Sequence, residues 1–170
     1  MREASKMDCR GFSLIEILVV LMISMALMGI AGLSYKQWMD RYRAEAQVKT
    51  MQAEIVQAQL KGMTKNRLQF VVLNGSAYQI VEDTNDSGTQ DAAPIDTVLV
   101  SKTLNYPSVS PVTLIMDTRG LISTSTSSLD IGPLSIQFTT GAALPDYDCF
   151  LLYATRVSIG KMKGADCVTR

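Results

Sequence analysis

Histidine is absent from the 170-residue chain, which removes the usual general base and the commonest metal ligand, and with them most hydrolytic chemistries. Lysine plus arginine number 16 and aspartate plus glutamate 16, so the net charge is zero and nothing advertises a polyanion-binding surface. No proline precedes Pro94, so a helix in the first half of the chain meets no breaker of that kind. There is no nucleophile elbow, Walker loop, zinc spacing or dinucleotide-binding glycine fingerprint. Cysteine is limited to Cys9, Cys149 and Cys167. Beyond its N-terminal segment the chain has room for one modest domain, and no catalysis is expected of it.

What the chain does have is a long apolar run. From Phe12 to Leu33 there is no Lys, Arg, Asp or Pro, and the one ionisable side chain is Glu16. About 22 residues at about 1.5 Å rise give roughly 33 Å, enough to cross a hydrocarbon core. A carboxylate at the centre of such a helix costs about 2.5–3.5 kcal/mol, and less near an end. The first turn is the favourable end for an anion, because free N–H groups and the macrodipole point there. A cut after Gly11 would add a second partner, making Phe12 a cationic N-terminus near the Glu16 of its own or a neighbouring chain.

Gly11-Phe12-Ser13-Leu14-Ile15-Glu16, with Ile17-Leu18-Val19-Val20-Leu21 after it and a short leader before it, resembles the processing site of type IV pilins and type II secretion pseudopilins. The leader carries Arg2, Lys6 and Arg10 against Glu3 and Asp8, a balance that holds an N-terminus in the cytoplasm. The resemblance implies that a prepilin peptidase cuts between Gly11 and Phe12, removes residues 1–11 and N-methylates Phe12. It implies that Glu16 pairs with a neighbour's N-terminus during assembly. Two readings outside that family use the same run. An ordinary single-span anchor would let Glu16 snorkel to the headgroups, and a secretory signal would use the small-x-small pattern Ser24-Met25-Ala26; Glu16 within the apolar region argues against the second.

After Leu33 the pattern turns amphipathic. Ala44, Val48, Met51, Ile55 and Ala58 recur at three- and four-residue spacing, with Tyr35, Trp38, Met39 and Tyr42 before them, which is the helical period. Lys49, Gln52, Glu54, Gln57 and Gln59 lie largely off that stripe. One nearly continuous helix is therefore expected from about Phe12 to about Lys61, capped near Gly62. Residues 12–33 would be its transmembrane or filament-core half and 34–64 its amphipathic half. Many major pilins carry a proline inside the apolar segment; Gly29 and Gly32 stand here instead, and they suit either local unwinding or close helix packing.

From residue 65 to 170 a β-rich head is expected. Leu68–Leu73 and Ala77–Val81 flank Asn74-Gly75, a strong hairpin signal. Thr97–Leu104, Val112–Met116, Leu121–Ile122, Leu134–Phe138 and Cys149–Ala154 follow as short β-type runs. Residues 123–128 read as a loop or exposed edge, and Arg156–Lys161 as a closing turn before a Cys167 tail. The fold class is thus α+β, a long N-terminal helix packed on an antiparallel head, as in the pilin fold. Glu82–Asp91, Met116-Asp117-Thr118-Arg119-Gly120 and Val157–Lys161 are similar to loops and turns of H-type pseudopilins and their minor-pilin counterparts.

Cys9 falls in the leader, leaving Cys149 and Cys167 in the exported part. A disulfide between them fits an oxidising periplasm; a redox pair or half a metal site finds no CxxC spacing and no His. Asp83, Asn85, Ser87 and Gly88 begin like a calcium loop with Asp91 as a further ligand, yet Pro94 stands where an EF-hand needs its bidentate Glu. The same residues suit a solvated turn. Asp146 and Asp148 beside Tyr147 read as surface residues. Lys161, Lys163 and Arg170, without interleaved aromatics, make a thin case for DNA.

The resemblance implies a minor pilin that primes or caps a pilus. Its partners would be other pilins, the prepilin peptidase, an inner-membrane assembly platform and the membrane itself, with no cofactor unless calcium. The head would be periplasmic. The alternatives are a type II secretion pseudopilin and a membrane-anchored periplasmic ligand-binding module.

Overall fold

The computed structural model describes residues 13–124 and 133–169, without the side chains of residues 30–34 and 142. The chain divides into two compact units, Met1–Trp38 and Met39–Arg170. One helix, α1 (Leu14–Lys65), contributes to both. In the first unit its described side chains from Leu14 to Met28 are apolar except for Glu16 and Ser24, and they are exposed all round. The Ser24 hydroxyl is satisfied inside the helix, donating to the Val20 carbonyl at 2.7 Å. Among the described residues no helix is long and apolar enough to cross a membrane. The apolar side chains that are described run from Leu14 to Gly29, about 24 Å of helix, and the sequence carries the run on through residues 30–33.

In the second unit the expected stripe is the buried one. Ala44, Val48, Met51, Ile55 and Ala58 are all buried, and they lie on one face by helical period. The helix ends later than the sequence suggests. Gly62 is interior to α1, and the stop is Asn66, which adopts φ 54°. The Arg67 N–H donates to the Gly62 carbonyl at 3.2 Å, the six-to-one bond of a Schellman ending with asparagine in place of glycine. Gly62 serves packing: a Cβ there would stand 3.3 Å from the Arg67 carbonyl oxygen and 3.4 Å from that of Asp117.

Among the described residues nine strands form two antiparallel sheets. The first contains β1 (Gln69–Asn74), β2 (Ala77–Glu82), β3 (Thr97–Thr103), β4 (Val112–Met116) and β5 (Ile122–Thr124), in the order β3-β2-β1-β4-β5. The second contains β6 (Leu134–Gln137), β7 (Cys149–Leu152), β8 (Val157–Lys163) and β9 (Asp166–Thr169), in sequence order. Asn74 closes the β1 ladder opposite Ala77, so the hairpin's central pair is Gly75-Ser76, one residue on from the Asn74-Gly75 expected. Gly75 has φ 57°, which suits the first central position of a type II′ turn.

The segment expected as a closing turn, Arg156–Lys161, is instead mostly strand β8, and the tail is its partner β9. Gly160 suggested a turn, yet it sits mid-strand, opposite Cys149 on one side and Thr169 on the other. A glycine inside a strand marks close backbone approach as readily as a turn. The true reversal is Gly164-Ala165, with Gly164 at φ 67°.

The helix stripe, the inner faces of the first sheet (Val71, Leu73, Ile80, Leu114, Met116) and of the second (Ile136, Phe150, Leu152) form one core. Phe138 and Phe150 meet edge to face, with ring centroids 5.2 Å apart. Glutamines flanking the stripe fasten the helix to two strand connections and to the start of β8. Gln47 donates to the Tyr106 carbonyl at 2.8 Å and accepts from its N–H at 3.1 Å; Gln52 donates to the Val157 carbonyl at 3.0 Å, and Gln59 to that of Gly120.

Candidate functional site

The first candidate site is the helix start. Ser13 stands just before α1, and its carbonyl accepts from Glu16 N–H at 3.0 Å and Ile17 N–H at 3.3 Å. Glu16 is therefore in the first turn, where orphan N–H groups and the dipole favour a carboxylate. It is exposed, and it has no hydrogen bond or ion pair among the described residues. Ser13-x-x-Glu16 also has the spacing of a capping box, a local reason for this glutamate that the sequence offered and the apolar context obscured. Gly11 and Phe12, the expected cleavage pair, lie outside the described residues.

The second is the Asp83–Asp96 connection between β2 and β3. The four candidate ligands are brought together, but largely by bonds within the loop. Asp83 is buried, and its carboxylate accepts from Ser87 N–H at 3.1 Å and Gly88 N–H at 2.9 Å. Asp91 Oδ2 accepts from the Asn85 amide and the Ser87 hydroxyl, both at 3.0 Å. Asp96, which sequence reading passed over, is buried too and accepts from Asp91 N–H at 2.7 Å and Thr84 N–H at 3.3 Å. Its only signal was an Asp at a strand boundary, which any turn shares. Among the described residues no group of three or more His, Cys, Asp or Glu is placed to hold a metal ion.

The third is the cysteine pair. Cys149 on β7 and Cys167 on β9 form a disulfide, with Cα atoms 6.0 Å apart. They flank β8, and strands two apart in a flat sheet would be about 9.5 Å distant. The sheet therefore folds over β8, and Gly160 provides the space.

The remaining candidates have structural occupations. Asp148 accepts from Met162 N–H at 2.7 Å; Asp146 lies 3.6 Å from the Arg41 guanidinium and donates its N–H to Glu45. The Lys49 ammonium sits 5.0 Å over the Tyr147 ring. Lys161 and Lys163 lie on β8, and Arg170 is outside the described residues. In the β4–β5 turn, Asp117 accepts from Leu121 N–H at 2.7 Å and Arg119 N–H at 2.9 Å. Burial works to raise its pKa, but these bonds and the Arg119 guanidinium outweigh that and hold it below the usual value.

Comparison with known families bears on the first site. Residues 6–32 match the model of the prokaryotic N-terminal methylation motif, a prepilin-type signal consistent with a type IV pilin-like protein. The match includes Gly11, Phe12 and Glu16. No match to the chain is found among curated proteins or among solved structures.

Proposed function

We propose, taking as premise a chain that carries the prepilin-type methylation motif on an exposed apolar helix, that this protein is a minor subunit of a type IV pilus. A prepilin peptidase cuts between Gly11 and Phe12, and Phe12 becomes the methylated N-terminus. Until assembly the apolar run anchors the subunit in the bacterial inner membrane, with the head periplasmic. The carrying observation is the exposure of the apolar side chains from Leu14 to Met28, with one carboxylate, Glu16, in the first turn that has no partner among the described residues. Each Leu or Ile moved from water to an apolar setting is worth roughly 1.5–3 kcal/mol, so this surface requires lipid or other helices around it.

In the filament, neighbouring helices replace lipid, and Glu16 meets the Phe12 ammonium of an adjacent subunit. The chain works by packing and charge neutralisation, and its assembly partners are other pilins and an inner-membrane platform. A type II secretion pseudopilin would share every one of these features, and neighbouring genes for pilus retraction or for a secretion secretin separate the two. Intact mass and N-terminal sequencing of membrane-extracted protein, from cells with and without prepilin peptidase, test the reading. A chain starting at methylated Phe12 only with the peptidase supports it. An uncut chain, or one starting after Ala26, returns the protein to the anchored or secreted modules.

A further inference from the structure

The apolar part of α1 ends on a pair of rings. Tyr35 and Trp38 are 61% and 59% exposed. Their spacing puts them on one face of the helix, and their ring centroids lie 6.2 Å apart with an interplanar angle of 36°. Both belong to the first compact unit. Between Phe12 and Tyr35 the chain has no aromatic residue, and its first cation after Arg10 is Lys36, which is exposed. Aromatic rings and positive charge thus begin together, just past Leu33, where the apolar run stops.

Length along the helix is the second observation. The backbone of α1 is continuous from Leu14 through Trp38, so at about 1.5 Å per residue Tyr35 stands roughly 32 Å along the axis from Leu14, against about 30 Å for a hydrocarbon core. A helix whose first turn lies at one headgroup layer therefore carries Tyr35 and Trp38 to the other. Tyrosine and tryptophan suit that layer because each joins an apolar ring to a polar tip. Lys36 suits it too, since its stem can lie on apolar surface while the ammonium reaches lipid phosphate.

We propose that Tyr35 and Trp38 form an interfacial belt that contacts the phospholipid headgroup layer on the periplasmic side while the subunit is anchored. This rests on the anchored stage of the proposed function. The belt is continuous along the helix with the exposed apolar surface that lipid covers at that stage.

Trp38 is the one tryptophan of the chain, so tryptophan fluorescence reports on this site alone. The test uses the full chain in phosphatidylcholine vesicles whose acyl chains carry bromine near the headgroup end or near the methyl end. Headgroup-end bromine is expected to quench Trp38 at least ~2-fold more than methyl-end bromine. Tyr35→Trp in a Trp38→Phe background should repeat that pattern. Met25→Trp in the same background should reverse it, since Met25 lies roughly 17 Å along the axis from Leu14, near the middle of the span.

The Met25 reporter separates two failures. If it reverses as expected but the tryptophan at 35 or 38 is quenched equally by both lipids, more by methyl-end bromine, or by neither, the belt is overturned and the anchor stands. Quenching by neither would place the rings in water or against protein, which the emission maximum tells apart. If the Met25 reporter also escapes both quenchers, the anchored stage falls and the belt with it.

Discussion

Gly160 and Cys167 meet where β8 passes under the disulfide: a Cβ built on Gly160 would stand 3.0 Å from Cys167 Sγ and 2.5 Å from the Val168 carbonyl oxygen. The second of these contacts is with backbone, which cannot swing aside. Gly160→Ala should therefore destabilise the head by about 1–3 kcal/mol, the usual range for overpacking. Thermal or denaturant unfolding of oxidised protein measures it, and a wild-type midpoint would mean that β9 does not press on β8 as described.

Cys149→Ser removes the link between β7 and β9. For a sequence separation of 18 the chain-entropy model gives roughly 3 kcal/mol. The loss should appear in the oxidised protein and vanish when wild type and variant are compared under reductant. Unchanged oxidised melting would show that the bridge contributes nothing.

Glu16→Ala removes a charge from the apolar segment, so insertion should be unchanged or improved. Incorporation into filaments should fall, since the neighbour's N-terminus then lacks its partner. Shearing filaments from cells that express both forms equally gives the comparison, and equal recovery would sink the pairing argument.

Asp117 has a folded-state pKa held below its ordinary value of 3.8. A depressed carboxylate contributes stability that is present above the unfolded value and is lost as pH falls through the lower folded value. Asp117→Asn should thus be less stable than wild type near neutrality, with the gap closing below about pH 4. A gap independent of pH would assign the effect to shape alone.

Asn66 ends α1 in the left-handed region. Asn66→Val should cost about 1–2 kcal/mol, because a Cβ-branched side chain resists that conformation, whereas Asn66→Gly should be neutral or slightly stabilising. Unfolding curves of the two variants decide it, and similar stability for both would argue against the Schellman ending.

Where periodicity and burial agree, the sequence was readable. The stripe from Ala44 to Ala58 is the buried face of α1, and Val112–Met116 is a strand with the bounds its residues suggest. The misreadings all fall on glycine and asparagine. Gly62 and Gly160 were taken for punctuation, but what a Cβ there would meet includes backbone brought up by the fold, Asp117 from the β4–β5 turn at Gly62 and Val168 from the neighbouring strand β9 at Gly160, which a local pattern does not contain. Asn66 and Gly75-Ser76 perform turns that neighbouring residues advertised equally well. At the N-terminal site the methylation motif was legible because it is local: a glutamate one turn into an apolar run needs no tertiary partner to be conspicuous. The arrangement around Asp83 was not, since whether a carboxylate faces a cation or backbone N–H groups depends on the path of the loop.

The glutamine contacts of α1 bear on how this head would tolerate sequence drift. Gln47, Gln52 and Gln59 each reach a main-chain carbonyl, at Tyr106, Val157 and Gly120. A carbonyl is supplied by any residue, so these bonds specify no side chain on the receiving side; Val157 is fixed by the core instead, and Gly120 by its φ of 80° against Met63. The glutamines have no such freedom, because a shorter replacement loses the reach and an acidic one the donor. Libraries that vary the connections other than Gly120 and Val157 while holding these three positions should therefore retain far more folded members than the reverse, leaving the head's outer surface open to diversify around a fixed spine.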